Sequence, residues 1–264
     1  MKKLWRKIRH WFKGLFQKAK TVAPLGLKPV PWNEAVHASC WNGSNASRRM
    51  MNLLSPAFSE AKVAEYVSWM KARGCDTAHV ILVNKADGEG AGYNCATNPA
   101  QAALAKARID SLRREGLAVV VWLVTDDSSA WAKDLFANAP ARMKALADAG
   151  LFSLASYVVL GLEMDEYGIM AQWKAVRDAL RAAGYKGKIG THHTSGNMFP
   201  FAGLGDIVLG QLDPHAATDS AIRAQIKAIK ALGKAAVGFE YSRTADRNKS
   251  KIALAAGAIG VGNW

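Results

Sequence analysis

The sequence predicts an α/β fold in which eight strands close into a (β/α)8 TIM barrel. Eight short apolar runs rich in β-branched residues are separated by segments with helical periodicity. The runs are nearly continuous rather than alternating, which is typical of parallel strands buried on both faces. Polar side chains follow most of the runs, where barrel enzymes carry their active-site groups. A doubly wound open sheet is the alternative that these patterns leave open.

The predicted elements follow in order along the chain. Ser59 is a typical N-cap, and Gly74, Gly116 and Gly184 are typical helix stops. The strands are predicted at 35–40, 77–83, 117–125, 156–162, 188–191, 206–212, 234–239 and 258–261. The helices are predicted at 59–73, 99–115, 141–149, 169–183, 219–232 and 249–256. Only a short apolar segment within 197–205 separates the fifth strand from the sixth, and no helix is expected after the eighth.

The N-terminal segment differs in composition from the rest. Residues 1–20 hold eight Lys and Arg residues and no acid, out of a formal net charge of +14. Aromatic and aliphatic side chains recur there at helical spacing, which predicts a basic amphipathic helix. Residues 21–33 include three prolines and predict a linker, and residues 34–264 form the barrel domain. Two interpretations of the helix stay open: it binds an anionic membrane or envelope surface, or it packs on the barrel in the missing eighth-helix position.

Composition also limits the compartment and the partners. No apolar run approaches the roughly 18 residues that a membrane span needs. The N-terminus lacks the features of a signal peptide, so we expect synthesis in the cytoplasm without ordinary secretion, with the basic segment directing action to the cell envelope. Three cysteines without a metal-binding spacing predict reduced thiols. Outside residues 1–20 the positive excess is modest, and we expect neither a nucleic-acid partner nor a cofactor.

Two glutamates end apolar strands in the same local pattern. Glu163 follows Gly161-Leu162, and Glu240 follows Gly238-Phe239. By alternation each glutamate faces the same way as the glycine two residues before it, and we expect the glycine to leave space beneath the carboxylate. Carboxylates at the ends of the fourth and seventh strands face each other across a barrel mouth. Glycoside hydrolysis needs such a pair, one to protonate the leaving oxygen and one to attack or to activate water.

On these two residues the chain resembles the clan of retaining (β/α)8 glycoside hydrolases with an acid/base Glu on strand four and a nucleophile Glu on strand seven. The resemblance implies that Glu163 is the acid/base and Glu240 the nucleophile. It covers about residues 34–264, at the level of architecture and the two glutamates. Trp264 also falls where that clan often has a sugar-stacking tryptophan. The basic N-terminal segment adds a narrower hypothesis, a phage-type lysin acting on peptidoglycan.

One departure from the clan pattern concerns Leu162. The clan usually has Asn immediately before the strand-four Glu, so the contact to the sugar 2-hydroxyl is missing here or supplied by another residue. Asp165 and Glu166 lie close to Glu163, and either remains an alternative general acid. A non-catalytic carbohydrate-binding barrel is therefore an alternative function.

Further polar and aromatic residues follow the predicted strands and are candidates for substrate binding. His192, His193 and His215 raise a second alternative, a metal-dependent hydrolase barrel, but the first strand has only His37 and the eighth has no acid, so no metal site is predicted. The candidates for glycan binding are Trp41, Asn42, Asn84, Asp126, Asp165, His192, Gln211, Tyr241 and Trp264.

Overall fold

The computed structural model describes eight stretches of the chain. They are residues 37–40, 53–72, 75–84, 92–125, 129–194, 196–212, 217–239 and 247–263. The predicted N-terminal helix at 1–20 and the linker at 21–33 lie outside them.

Strands and helices alternate along the described chain. The strands are β1 His37–Cys40, β2 Thr77–Asn84, β3 Tyr93–Asn94, β4 Ala118–Val124, β5 Tyr157–Val159, β6 Lys188–His193, β7 Ile207–Gln211, β8 Ala235–Phe239 and β9 Gly260–Asn263. The helices are α1 Glu60–Ala72, α2 Pro99–Arg114, α3 Ser129–Ala137, α4 Ala139–Asp148, α5 Met164–Tyr167, α6 Met170–Ala182, α7 Asp219–Ala231 and α8 Arg247–Ala255. A single 3-10 turn, Ala202–Leu204, stands between β6 and β7.

The nine described strands form one sheet, and all of them except β3 are parallel. The order is β1-β9-β8-β7-β6-β5-β4-β2-β3, with β3 antiparallel to β2. β1 pairs with β9 from His37 to Cys40 and meets β2 at the register pair Ser39 and Thr77. The predicted α/β class with a parallel sheet is confirmed. Because the strands are parallel, their C-terminal ends lie along one edge, called here the carboxyl edge.

The sheet buries both of its faces. On β4, Val120 and Trp122 belong to an interior cluster, whereas Val119, Val121 and Leu123 pack in a cluster that includes helix residues. This division explains why the strands read as continuous apolar runs. The interior cluster consists of Ile81, Val120, Trp122, Tyr157, Val159, Leu162, Ile207, Leu209, Val237 and Phe239.

Helix ends follow the capping signals in the sequence. The Ser59 hydroxyl accepts the Lys62 N–H at 3.2 Å, and the Asn98 side chain accepts two N–H groups at the start of α2. Gly116 and Gly184, at the ends of α2 and α6, have φ of +83° and +97°. Such left-handed positions favour glycine, so these stops are confirmed. None of the described helices is long and apolar enough to cross a membrane.

Several predictions of detail were wrong. The fourth predicted strand, 156–162, is a strand only over Tyr157–Val159. The sequence patterns missed β3, α3 and α5, which are short or lack a clear apolar period. Cys75 is disulfide-bonded, against the expectation of reduced thiols, whereas Cys95 is a buried free thiol.

Candidate active site

Glu163 lies at the carboxyl edge, between the end of β5 and the start of α5. Its φ and ψ are both 49°, the left-handed helical conformation. Within the described ranges it is the one non-glycine residue with a positive φ. For a residue with a Cβ this conformation costs about 1–2 kcal/mol. Strain of this kind is concentrated at functional sites, where the surrounding structure holds it.

The backbone of Glu163 is held by His192, near the end of the neighbouring strand β6. The Glu163 N–H donates to His192 Nδ1 at 2.9 Å. The imidazole is fully buried, and burial together with His193 and His79 holds the pKa of His192 well below its ordinary value. The ring is therefore neutral. Since Nδ1 accepts a hydrogen bond, the ring proton is on Nε2.

His192 belongs to an aromatic layer that fills the interior below the carboxyl edge. We define this layer as His79, Trp122, His192 and Phe239, one side chain each from β2, β4, β6 and β8. Their ring centroids are 5.2–5.7 Å apart in five pairs. The Trp122 indole N–H donates to His79 Nδ1 at 2.8 Å. The packed rings of this layer lie on the interior side of the sheet, next to the backbone of Glu163.

The predicted role of Gly161 was wrong. We expected it to leave space beneath Glu163, but a Cβ at position 161 would lie 2.5 Å from Cη2 of Trp173. The glycine therefore makes room for this indole of α6, which is fully buried and donates its N–H to the Met164 carbonyl at 3.1 Å. Strict alternation also fails here, because Val159 and Leu162 both belong to the interior cluster.

Asp165 ties α5 to the end of β6. Its two carboxylate oxygens accept the Thr194 N–H at 3.1 and 3.2 Å, and one of them accepts the Thr194 hydroxyl at 3.2 Å. Glu166 is exposed, and its N–H donates to the Glu163 carbonyl at 3.0 Å. Asp165 therefore has a structural use already, and Glu163 stays the predicted acid of the three.

The two adjacent histidines face opposite sides of the sheet, as alternation predicted. His193 packs against Phe199 and Phe201, and its Nε2 accepts the Phe201 N–H at 3.1 Å. Burial lowers the pKa of His193 to about 4, an effect that Asp165 opposes. Among the residues that the structure describes, no group of three or more His, Cys, Asp or Glu side chains is placed to hold a metal ion.

Two amide candidates for glycan binding lie at the carboxyl edge with different surroundings. Asn84 is 1% exposed, and its side chain hydrogen-bonds to Tyr93. Gln211 as a residue is half-buried, but its side-chain Oε1 atom is itself buried and has no hydrogen-bond partner in the described part of the chain. Its backbone carbonyl accepts the Gln225 side-chain amide at 2.9 Å. Neither amide therefore presents a free acceptor at the edge: the Gln211 oxygen is buried, and Asn84 is committed to the fold.

The remaining candidates lie outside the described residues. The interior positions of β8 are Val237 and Phe239, whereas Ala236, which alternation groups with Glu240, packs against α7 and α8. Alternation along β8 therefore gives no support for a mouth-facing Glu240, and its role stays a prediction based on the resemblance. The candidates outside the described residues are Trp41, Asn42, Asp126, Glu240, Tyr241 and Trp264.

Sequence reasoning missed the supporting residues of this site. His79 and Trp122 lie inside predicted strands. A polar ring atom in a buried apolar strand needs a hydrogen-bond partner in the interior, and this need was the signal in the sequence for such a pair. Thr194, which binds Asp165, carries no comparable signal.

Backbone strain at Glu163 predicts an unusual order of stabilities. We expect Glu163→Gly to be more stable than Glu163→Ala by about 0.5–1 kcal/mol, because glycine removes the left-handed strain and loses part of that gain to backbone entropy. At Glu166, within α5, the order should reverse, with alanine more stable by about 1 kcal/mol. Urea unfolding of the four variants measures both differences. The same order at both positions would contradict a strained Glu163.

The fold is similar to that of solved glycoside hydrolases. A GH113 β-1,4-mannanase complex has a TM-score of 0.58 and 11% identity, over 87% of this chain and 87% of that chain. A glycoside hydrolase family 5 protein from Bacteroides vulgatus ATCC 8482 has a TM-score of 0.59 and 14% identity, over 78% and 56%. A β-glucuronidase from Ruminococcus gnavus with D-glucuronic acid has a TM-score of 0.55 and 10% identity, over 78% and 39%.

This chain thus spans most of the mannanase, but little more than half of the family 5 protein and less than half of the β-glucuronidase. No protein-family model and no curated protein matches the sequence. At these identities the similarity establishes the fold alone.

Proposed function

We propose that this chain is a retaining glycoside hydrolase that cuts a polysaccharide or a cell-wall glycan, on a fully closed (β/α)8 barrel. Two observations support the closed barrel. β1 pairs with both β9 and β2, and the fold is similar to that of glycoside hydrolases. In this proposal Glu163 is the general acid/base and Glu240 is the nucleophile.

The observation that carries the proposal is the conformation of Glu163. The chain leaves β5 after Val159, and Glu163 then adopts a left-handed conformation held by a buried imidazole. A glutamate in an ordinary strand end or helix would need no such support. A site that requires the carboxyl group at one fixed position of the carboxyl edge would explain why the fold keeps this strained backbone.

The chemistry takes two steps. Glu240 attacks the anomeric carbon while Glu163 protonates the leaving oxygen, so the glycosidic C–O bond breaks and a glycosyl ester of Glu240 forms. Glu163, now ionised, removes a proton from water, which attacks the same carbon and releases Glu240. This double displacement keeps the anomeric configuration and needs the two carboxyl groups about 5–5.5 Å apart.

Leu162 affects how the sugar is held. Its side chain belongs to the interior cluster, so it gives no hydrogen bond to a sugar 2-hydroxyl. We propose that another residue at the carboxyl edge supplies this contact, and Asn42, which follows β1, remains a candidate, since the Gln211 Oε1 is buried. Trp264, by analogy with the clan, and Trp41, which follows the first strand, are the proposed stacking surfaces.

The cell-wall part of the proposal depends on the N-terminal segment. Its eight basic residues favour an anionic envelope surface, and peptidoglycan is then the natural glycan. The other interpretation stays open: the same helix packs on the barrel in the eighth-helix position, and the substrate is another polysaccharide.

A glycan panel tests the function. Wild type and Glu163→Gln are incubated with peptidoglycan, β-1,4-mannan and other common polysaccharides, and new reducing ends are measured. We expect release from one class by the wild type only, with the product first formed in the retained anomeric configuration by proton NMR. An inverted product would contradict the mechanism. Glycan binding without release by the wild type would favour the non-catalytic binding barrel.

A further inference from the structure

We propose that His192 is a positioning residue for Glu163, the predicted acid/base, rather than a residue that binds glycan. This inference rests on the proposed function, because it assigns His192 a part in the same site. His192 is fully buried, so a bound sugar has no access to its ring.

The first step concerns the backbone of Glu163. Its N–H lies after the last residue of β5 and before the first residue of α5, outside the regular hydrogen bonds of both. Leaving such a donor unpaired in a buried place costs about 1–3 kcal/mol. His192 Nδ1 accepts it at 2.9 Å, and this bond offsets the strain of the left-handed conformation. Loss of this acceptor is therefore expected to destabilise the left-handed conformation of Glu163.

The second step concerns the rigidity of the acceptor. The His192 ring stands edge-on to Trp122, with centroids 5.3 Å apart, and edge-on to Phe239, with centroids 5.4 Å apart. The bond to Glu163 requires an unprotonated Nδ1, so only the neutral ring with hydrogen on Nε2 performs this role. Nε2 is buried and has no hydrogen-bond partner among the described residues. The ring is thus fixed by packing, and Nδ1 points at one backbone N–H.

The third step concerns the effect on the reaction rate. Phe239 ends β8 and directly precedes Glu240 in the sequence. His192 thus bonds to the backbone of Glu163, and its ring also packs against the ring of Phe239. A displacement of about 1 Å in a catalytic group costs on the order of 10²-fold in rate. We therefore expect loss of the bond between His192 and Glu163 to displace Glu163 and to slow the reaction.

The adjacent His193 provides a matched control. It is as buried as His192 and also accepts one backbone N–H, but from Phe201, and its ring packs among aromatic residues outside the interior cluster. Replacing either histidine by Phe removes an acceptor and keeps an aromatic ring. Only the change at His192 removes the bond to Glu163.

The experiment compares His192→Phe, His192→Asn and His193→Phe with the wild type, using the glycan found in the panel. We expect His192→Phe to lower kcat by about 10²-fold with little change in KM. Asn offers an amide oxygen close to the place of Nδ1, so His192→Asn should recover a large part of the loss. His193→Phe should lower stability but keep kcat near that of the wild type.

A second readout does not need activity. Hydrogen exchange of the Glu163 amide, followed by NMR, should be slow in the wild type and in His193→Phe, and fast in His192→Phe. A folded His192→Phe protein with unchanged kcat, or with a Glu163 amide as protected as in the wild type, would overturn the inference. If the wild type cleaves no glycan, the proposed function fails, but hydrogen exchange still tests the role of His192. Loss of Glu163 amide protection in His192→Phe would show that His192 holds Glu163. Protection equal to that of the wild type would show that it does not.

Discussion

Glu163→Gln is expected to reduce the turnover of an unactivated glycan by about 10²–10⁴-fold. Glutamine keeps the size of the side chain and cannot donate a proton to the leaving oxygen. The loss should depend on the leaving group. The variant should attack an aryl glycoside almost as fast as the wild type does when the phenol leaves without protonation. Hydrolysis of the glycosyl-enzyme still needs Glu163 as a base, so this intermediate should accumulate after a burst of released phenol.

Kinetics on a series of aryl glycosides of increasing phenol pKa measure this effect. The slope of log kcat/KM against phenol pKa should be steeper in Glu163→Gln than in the wild type. Asp165→Asn and Glu166→Gln are the comparison variants, because both carboxyl groups lie within three residues of Glu163. If either of them reproduces the steeper slope and Glu163→Gln does not, the general acid is that residue instead.

Glu240→Ala is expected to cause a larger loss, about 10⁴–10⁶-fold, on activated and unactivated substrates alike. Removal of a nucleophile prevents formation of the glycosyl ester, and a good leaving group does not compensate for that. Added azide fits the space left by the carboxylate and attacks the anomeric carbon directly. The product should be a glycosyl azide of inverted configuration, identified by proton NMR.

Azide with Glu163→Gln serves as the control for this result. There the glycosyl ester still forms, and azide replaces water in the second step without needing a base. Its product should have the retained configuration. A retained azide product from Glu240→Ala and an inverted one from Glu163→Gln would exchange the roles of the two glutamates. If Glu240→Ala gives no azide product and keeps substantial hydrolysis, Glu240 has no part in the mechanism.

The sequence was sufficient for the features that depend on local pattern. Continuous apolar runs predicted the strands that are buried on both faces, and Ser59, Gly116 and Gly184 marked helix ends that the structure confirms. Polar residues after the strands marked the carboxyl edge, where Glu163 and Gln211 lie. These features follow from periodicity and capping, which act over a few residues.

The features that the sequence did not provide depend on distant contacts. His192 and Glu163 are 29 residues apart, and no period relates a ring nitrogen on one strand to a backbone N–H after another. The left-handed conformation of Glu163 is equally invisible, since glutamate is not a residue that favours it. Alternation failed beyond Val159 because the chain turns out of β5 there, under constraints set by Trp173 and the aromatic layer.

The Trp173 indole occupies the place where a side chain at position 161 would lie, and this contact links the residue types at the two positions in homologues. Gly168 has the same neighbour, since a side chain there would overlap the Trp173 indole. In a diverging family, loss of the indole would release Gly168 and would remove the nearest contact at Gly161, where a Cβ would also lie 2.9 Å from the Tyr167 hydroxyl. A side chain at either glycine would require a smaller residue at 173. The three positions should therefore change together across homologues. A search that weights this coupled triplet has more power to find them than one that scores each position alone.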